Sequence, residues 1–115
     1  MKFNNLYVVA VIFLTLIAAC SNKSSILTFE PELLEDCKQG HEVNVNWDIK
    51  GAYPNTKNIA LYVGGGGKES LFAQGGITGS AKTGPWAFPG THFTLRDNDT
   101  KQLLEEASID GPKCK

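Results

Sequence analysis

From position 41 to position 49 the side chains alternate without a break, with Val43, Val45, Trp47 and Ile49 on one face and Asn44, Asn46 and Asp48 on the other. A period of two lets the apolar set face a core while the polar set stays in water, so the pattern predicts a half-buried strand. Residues 50–55 are rich in turn formers, and beyond them Ile59, Leu61 and Val63 share one face while Ala60 and Tyr62 share the other, a second strand. The glycines at 64–67 open a loop, residues 70–73 predict a short edge strand, and Gly75, Gly76 and Gly79 permit further reversals. Phe93 and Leu95 then alternate with His92, Thr94 and Arg96, and Asp97, Asn98 and Asp99 turn the chain into a last strand over 102–109. In that strand Glu105 falls in phase with Leu103, Ala107 and Ile109, an irregularity that predicts a bulge. Residues 33–37 can form a helical turn, and nothing longer has helical periodicity. Short strands at this spacing predict an all-β fold, a small antiparallel β-sandwich.

The start of the chain follows a different pattern. Lys2 is followed by a nearly unbroken apolar run over 6–17 and by the small residues Ala18 and Ala19 before Cys20, which is the anatomy of a signal peptide. The run is shorter than the roughly 20 apolar residues that a membrane-spanning helix needs, and a polar stretch follows at once. The sequence LIAAC at 16–20 resembles the lipobox of bacterial lipoproteins. The resemblance implies cleavage between Ala19 and Cys20, a diacylglycerol on the Cys20 thiol and a further acyl chain such as palmitate on the new amino terminus. It divides the chain into a cleaved signal peptide (1–19), a flexible lipid-anchored tether (20–25) and a folded domain (26–115). Two or three acyl chains hold a protein stably at a membrane, where one does so only marginally. In Gram-negative lipoproteins Asp after the acylated cysteine favours the inner membrane, and here that residue is Ser21, so the resemblance favours the outer membrane of the cell envelope.

Three cysteines is an odd number for an exported chain. Lipidation of Cys20 accounts for one and leaves Cys37 and Cys114 to pair as a disulfide, a clasp between an early loop and the carboxyl terminus. In the chain-entropy account, closing so long a loop contributes about 4 kcal/mol.

The run PGTHFTL at 89–95 resembles the sixth strand of immunoglobulin-like (Ig-like) and fibronectin type III-like domains. It implies an Ig-like sandwich and no activity, because unrelated functions share that fold.

Charge narrows the partners. The formal net charge is -1, and removing residues 1–19, whose single charge is Lys2, takes it to -2. No basic stripe is visible, which argues against nucleic acid. The GGGGK run at 64–68 fails the phosphate-loop spacing, since Tyr62 stands where the first glycine belongs and Glu69 follows the lysine. His41 and His92 lie far apart with no second ligand at metal spacing, and Glu30, Glu32, Glu35 and Asp36 lack a calcium-loop pattern. No serine sits in a GxSxG turn. No catalytic residue, metal site or cofactor is therefore expected.

The residues left with binding chemistry are aromatic: Trp86 and Phe88, two apart, with Tyr53 and Tyr62 elsewhere. Exposed, they can stack on sugar rings or anchor a protein. Buried, Trp86 would instead plug the end of the sandwich. The expected role is a non-catalytic binding module for an envelope protein or a glycan such as peptidoglycan. The alternative is a periplasmic inhibitor of a hydrolase such as lysozyme or a protease.

Overall fold

The computed structural model describes residues 26–65 and 67–114; Cys20, the Ala19–Cys20 cleavage point, the signal segment and the tether lie outside them. Among the described residues seven strands follow one another: β1 (Leu27–Glu30), β2 (Asn44–Asp48), β3 (Ile59–Val63), β4 (Ser70–Gly75), β5 (Thr78–Lys82), β6 (His92–Asp97) and β7 (Leu103–Ser108). They form two antiparallel sheets, one ordered β1-β2-β5 and the other β4-β3-β6-β7. The protein is an Ig-like β-sandwich, and the PGTHFTL run leads into its sixth strand.

The core is what the alternation of β2 requires. Val43, Val45, Trp47 and Ile49 are buried and meet Ile59 and Leu61 of β3 and Phe93 and Leu95 of β6. Leu27 and Phe29 of β1 close one side, with Phe29 5.5 Å from Phe93 across the two sheets. Each large side chain buried in this way stabilises the fold by roughly 1.5–3 kcal/mol relative to exposure. Ala60, assigned to the outer face, is also fully buried, because Gln74 of β4 and Arg96 of β6 flank it in register.

Three expectations are corrected, and the expected bulge in the last strand is present. Gly79 does not reverse the chain; it lies inside β5, opposite Trp47. The indole crosses it so closely that a Cβ there would stand 2.5 Å from Trp47 Cζ2, so the glycine serves a close approach. Gly75 ends β4, so the reversal between β4 and β5 falls on residues 76 and 77, and Trp47 Nε1 donates to Gly76 O there at 3.0 Å. Residues 33–37 form no helical turn: Leu33 makes a parallel bridge to Asp110, and Leu34 N donates to Asp110 O at 3.0 Å. In β7 the bulge is present, but it places Leu104 in the core and turns Leu103 outward. Glu105 pairs with Leu95 on the inner side of this edge strand, where a charge discourages pairing with another chain.

The strands run between two ends. At one, β1 begins, residues 49–58 link the sheets, and residues 76–77 and 98–102 make turns. At the other lie the loops 31–43, 64–69 and 83–91 and the carboxyl-terminal segment.

The first end is pinned by Asp97. Its carboxylate accepts from Thr56 Oγ1 at 2.8 Å, Asp99 N at 2.8 Å and Thr100 N at 3.1 Å. The Thr100 N–H foremost, then the Thr56 hydroxyl and the Asp99 N–H, hold its pKa below the ordinary carboxylate value. A depressed carboxylate contributes stability above its unfolded pKa, about 3.9, and loses it as pH falls through the lower folded value. Asp97→Asn is therefore expected to lower the melting temperature at pH 7, with the gap to wild type closing as pH drops from about 4 towards 2. A gap that stays constant with pH would mean the ionised carboxylate is not what pins the turn.

Candidate functional site

The loops of the second end are built around the segment between β5 and β6. Thr83, buried, accepts from Val43 N at 2.9 Å and donates to Gly84 O at 2.7 Å, which fixes where the chain leaves β5. Ala87 then pairs with His41 through two backbone bonds of 2.8 and 3.1 Å and is fully buried. In an extended bridge, neighbours on either side of an inward residue point the other way. That is where Trp86 and Phe88 stand, 42% and 36% exposed. Gly40 permits the approach, since a Cβ there would meet Pro85 O at 2.3 Å.

Trp86 also closes the sandwich. Its ring meets Phe72 edge-on at 6.0 Å, and Phe72 meets Phe93 at 5.5 Å, so a ladder of aromatic rings runs from the surface through Phe72 and Phe93 to Phe29. Surface and plug are thus the same residue: one edge of the indole is held while nearly half the side chain stays open to water. A held aromatic ring loses little freedom when a ligand covers it.

After Phe88 the chain turns through Pro89 and Gly90, with Thr91 N donating to Phe88 O at 3.0 Å and Gly90 at φ 93°. Proline followed by a positive-φ glycine is the signature of a type II turn. The turn supports the carboxyl-terminal strap, for Gly90 N donates to Ile109 O at 2.7 Å and Ile109 N to Thr91 O at 3.0 Å. Gly111 passes between Leu34 and Pro89 where a Cβ would stand 2.5 Å from Leu34 O. Cys37 and Cys114 are then at disulfide distance, with Cα atoms 5.6 Å apart and a sequence separation of 77. A depression of about 410 Å³ lies between the Pro89-Gly90 turn and the strap. Leu33 stands 56% exposed at the same end.

The four aromatics picked from the sequence separate. Trp86 and Phe88 share the clasped end. Tyr62 lies on the outer face of the larger sheet, between Leu71 and Thr94 in register. Tyr53 belongs to the opposite end, where its hydroxyl donates to Leu104 O at 2.9 Å. Sequence reasoning missed Leu33, whose exposure depends on the bridge to Asp110 rather than on any local pattern.

It also missed a polar cluster on the outer face of the larger sheet. His92 Nδ1 is 2.8 Å from Ser108 Oγ, and Nε2 is 2.9 Å from Glu106 Oε1. An ionised carboxylate only accepts, so Nε2 carries hydrogen in the pair with Glu106, and Nδ1 shares the other hydrogen bond with the Ser108 hydroxyl. The three groups resemble a nucleophile, base and carboxylate in line. They sit on an open face, with the Glu106 side chain 51% exposed, where water removes the electrostatic advantage of such a relay. The arrangement serves as cross-strand pairing between β6 and β7. Beside it Glu69 accepts from Thr94 Oγ1 at 3.2 Å and stands 4.0 Å from Arg96 Nε.

His41 Nε2 is 3.4 Å from Asp36 Oδ1, an ion-pair distance without a well-formed hydrogen bond. Asp36 has its pKa held low, first by the Lys38 N–H that it accepts at 3.0 Å. The glycine loop is a tight link from β3 to β4, with Gly64 at φ 109° and its N–H bonded to His92 O at 2.9 Å.

Fold and surface together define a small all-β module with one clasped, aromatic-bearing end. No protein-family model, curated protein or solved structure matches the chain.

Because the clasp joins residues so distant in sequence, Cys37→Ser or Cys114→Ser should each lower the melting temperature by more than about 10 °C, the scale of about 4 kcal/mol in a domain of this size. Reducing agent should do the same to wild type and nothing to either variant. Equal melting of all forms would remove the clasp from the account.

Proposed function

We propose that the chain is a lipid-anchored protein of the cell envelope, and that its domain is a non-catalytic module binding another envelope component, a protein or a glycan. The lipobox-like LIAAC supports the anchor, with the lipid on Cys20 and the outer membrane as the site in a Gram-negative cell. The observation that carries the binding half is the polarity of the sandwich: β1 begins at one end, and the exposed Trp86 and Phe88 stand at the other. Residues 20–25 are six in number and can reach at most about 20 Å when extended. A domain held on so short a leash turns its far end away from the bilayer. Tethering also raises the effective concentration of that end towards anything resident nearby, which favours a binder over a diffusing catalyst.

Cells fed alkynyl palmitate are expected to label the wild-type chain and leave Cys20→Ser unlabelled. Equal labelling of the two, or none of either, contradicts the anchor. A cleavable crosslinker applied to the same cells should trap the wild-type chain in one discrete adduct; a chain that is lipidated yet never trapped contradicts the binding half.

A further inference from the structure

The clasped end has a charge as well as a shape. The segment from Glu30 to Glu42 carries Glu30, Glu32, Glu35, Asp36 and Glu42 against a single Lys38. All but Asp36 are exposed, and Asp36 is half-buried. The bridges from Leu33 to Asp110 and from His41 to Ala87 pin this segment on both sides, and Cys37 ties it to the strap. The opposite end is balanced, with Lys50, Lys57 and Lys101 against Asp48, Asp97 and Asp99. Lys68 with Glu69, and Lys113 with Asp110, lie at the clasped end too and offset one another, so the acidic excess of that end comes from the 30–42 segment.

We propose that Leu33, Trp86 and Phe88, rimmed by the carboxylates of the 30–42 segment, form a docking surface for a cationic protein. This rests on the binding half of the function proposed above and names its partner class. Three features favour a protein over a glycan. Leu33 and Phe88 offer apolar surface without the hydroxyl and amide groups that sugars pair with. The rim charges attract lysine and arginine and gain nothing from a neutral polysaccharide. Centrally placed aromatic anchors inside a charged rim are the usual anatomy of a protein interface. Backbone bridges and the clasp fix the surface beforehand, so little ordering is lost on contact.

The test uses the full-length chain in cells of its own source, with the photo-crosslinking amino acid p-benzoylphenylalanine placed singly at position 33, 88, 55 or 71. Positions 33 and 88 lie on the surface, 55 lies at the opposite end, and 71 is exposed on the outer face of the larger sheet. Irradiation should give one protein adduct from 33 and 88 and none from 55 and 71, and the crosslinked peptide should be rich in lysine and arginine. Combining Glu32→Gln, Glu35→Gln and Glu42→Gln should cut that yield about tenfold, while Asp48→Asn with Asp99→Asn leaves it unchanged. Far-ultraviolet circular dichroism and melting of each variant separate lost docking from lost folding. A glycan adduct, equal adducts from all four positions, or a yield indifferent to the three glutamates would overturn the proposal. The anchor is judged separately by palmitate labelling, so a chain that is labelled but gives no adduct at 33 or 88 rejects the docking surface alone.

Discussion

In a sandwich built from an odd number of strands, each linked to the next by a reversal of direction, the chain must enter at one end and leave at the other. Seven strands impose that separation here, and burial makes it firm. The inward face of β2 meets β3 and β6 across the core, so no strand can slip by one residue without turning Val45 and Trp47 into water. The placement of the exposed aromatic residues follows from this polarity. The end where β1 begins is closed by the 49–58 link, two short turns and the Asp97 hydrogen bonds. The far end receives three loops and the carboxyl-terminal strap, and it is closed by different means.

That means is a set of local devices acting together. A backbone bridge joins His41 to Ala87, a proline-glycine turn supports Ile109, Gly111 slips between Leu34 and Pro89, and the Cys37–Cys114 pair secures the whole. Loops tied down in this way can present apolar side chains to water without collapsing onto them. Trp86 shows the compromise, since Phe72 grips its edge while much of its surface stays open. The acidic segment is carried on the same frame, which places charge and aromatic surface side by side.

How much of this was legible in the sequence depends on the strand. β2, β3 and β6 are central strands whose inward positions hold Val, Ile, Leu, Phe and Trp, so strict alternation exposes them. β5 reads TGSAK, an edge strand whose only apolar side chain is Ala81, and its Gly79 resembles a turn residue until the Trp47 indole is seen lying on it. β1 has only four residues and no turn signal before it. The bulge in β7 was visible as a broken phase, but whether Leu103 or Leu104 entered the core depended on pairing with β6, which local pattern does not encode. At the candidate site the Cys37–Cys114 pairing was legible once the lipobox resemblance set Cys20 apart from the three cysteines. The placement of Leu33 at the same end as Trp86 and Phe88 was not, because it is made by bridges between residues 46 and 77 positions apart, His41 to Ala87 and Leu33 to Asp110. The His92, Glu106 and Ser108 cluster joins neighbouring strands, but it needed the β6-β7 register to appear.

With the proposed lipid on Cys20, the polarity of the sandwich would hold the clasped, aromatic end away from the membrane. Energy transfer measures this directly: the lipidated chain is reconstituted in vesicles whose headgroups carry an acceptor, with a single donor introduced through an unnatural amino acid at position 55 or position 88. Stronger transfer from 55 than from 88 is the result that the polarity of the sandwich predicts. Equal transfer from the two positions, or stronger transfer from 88, would contradict it.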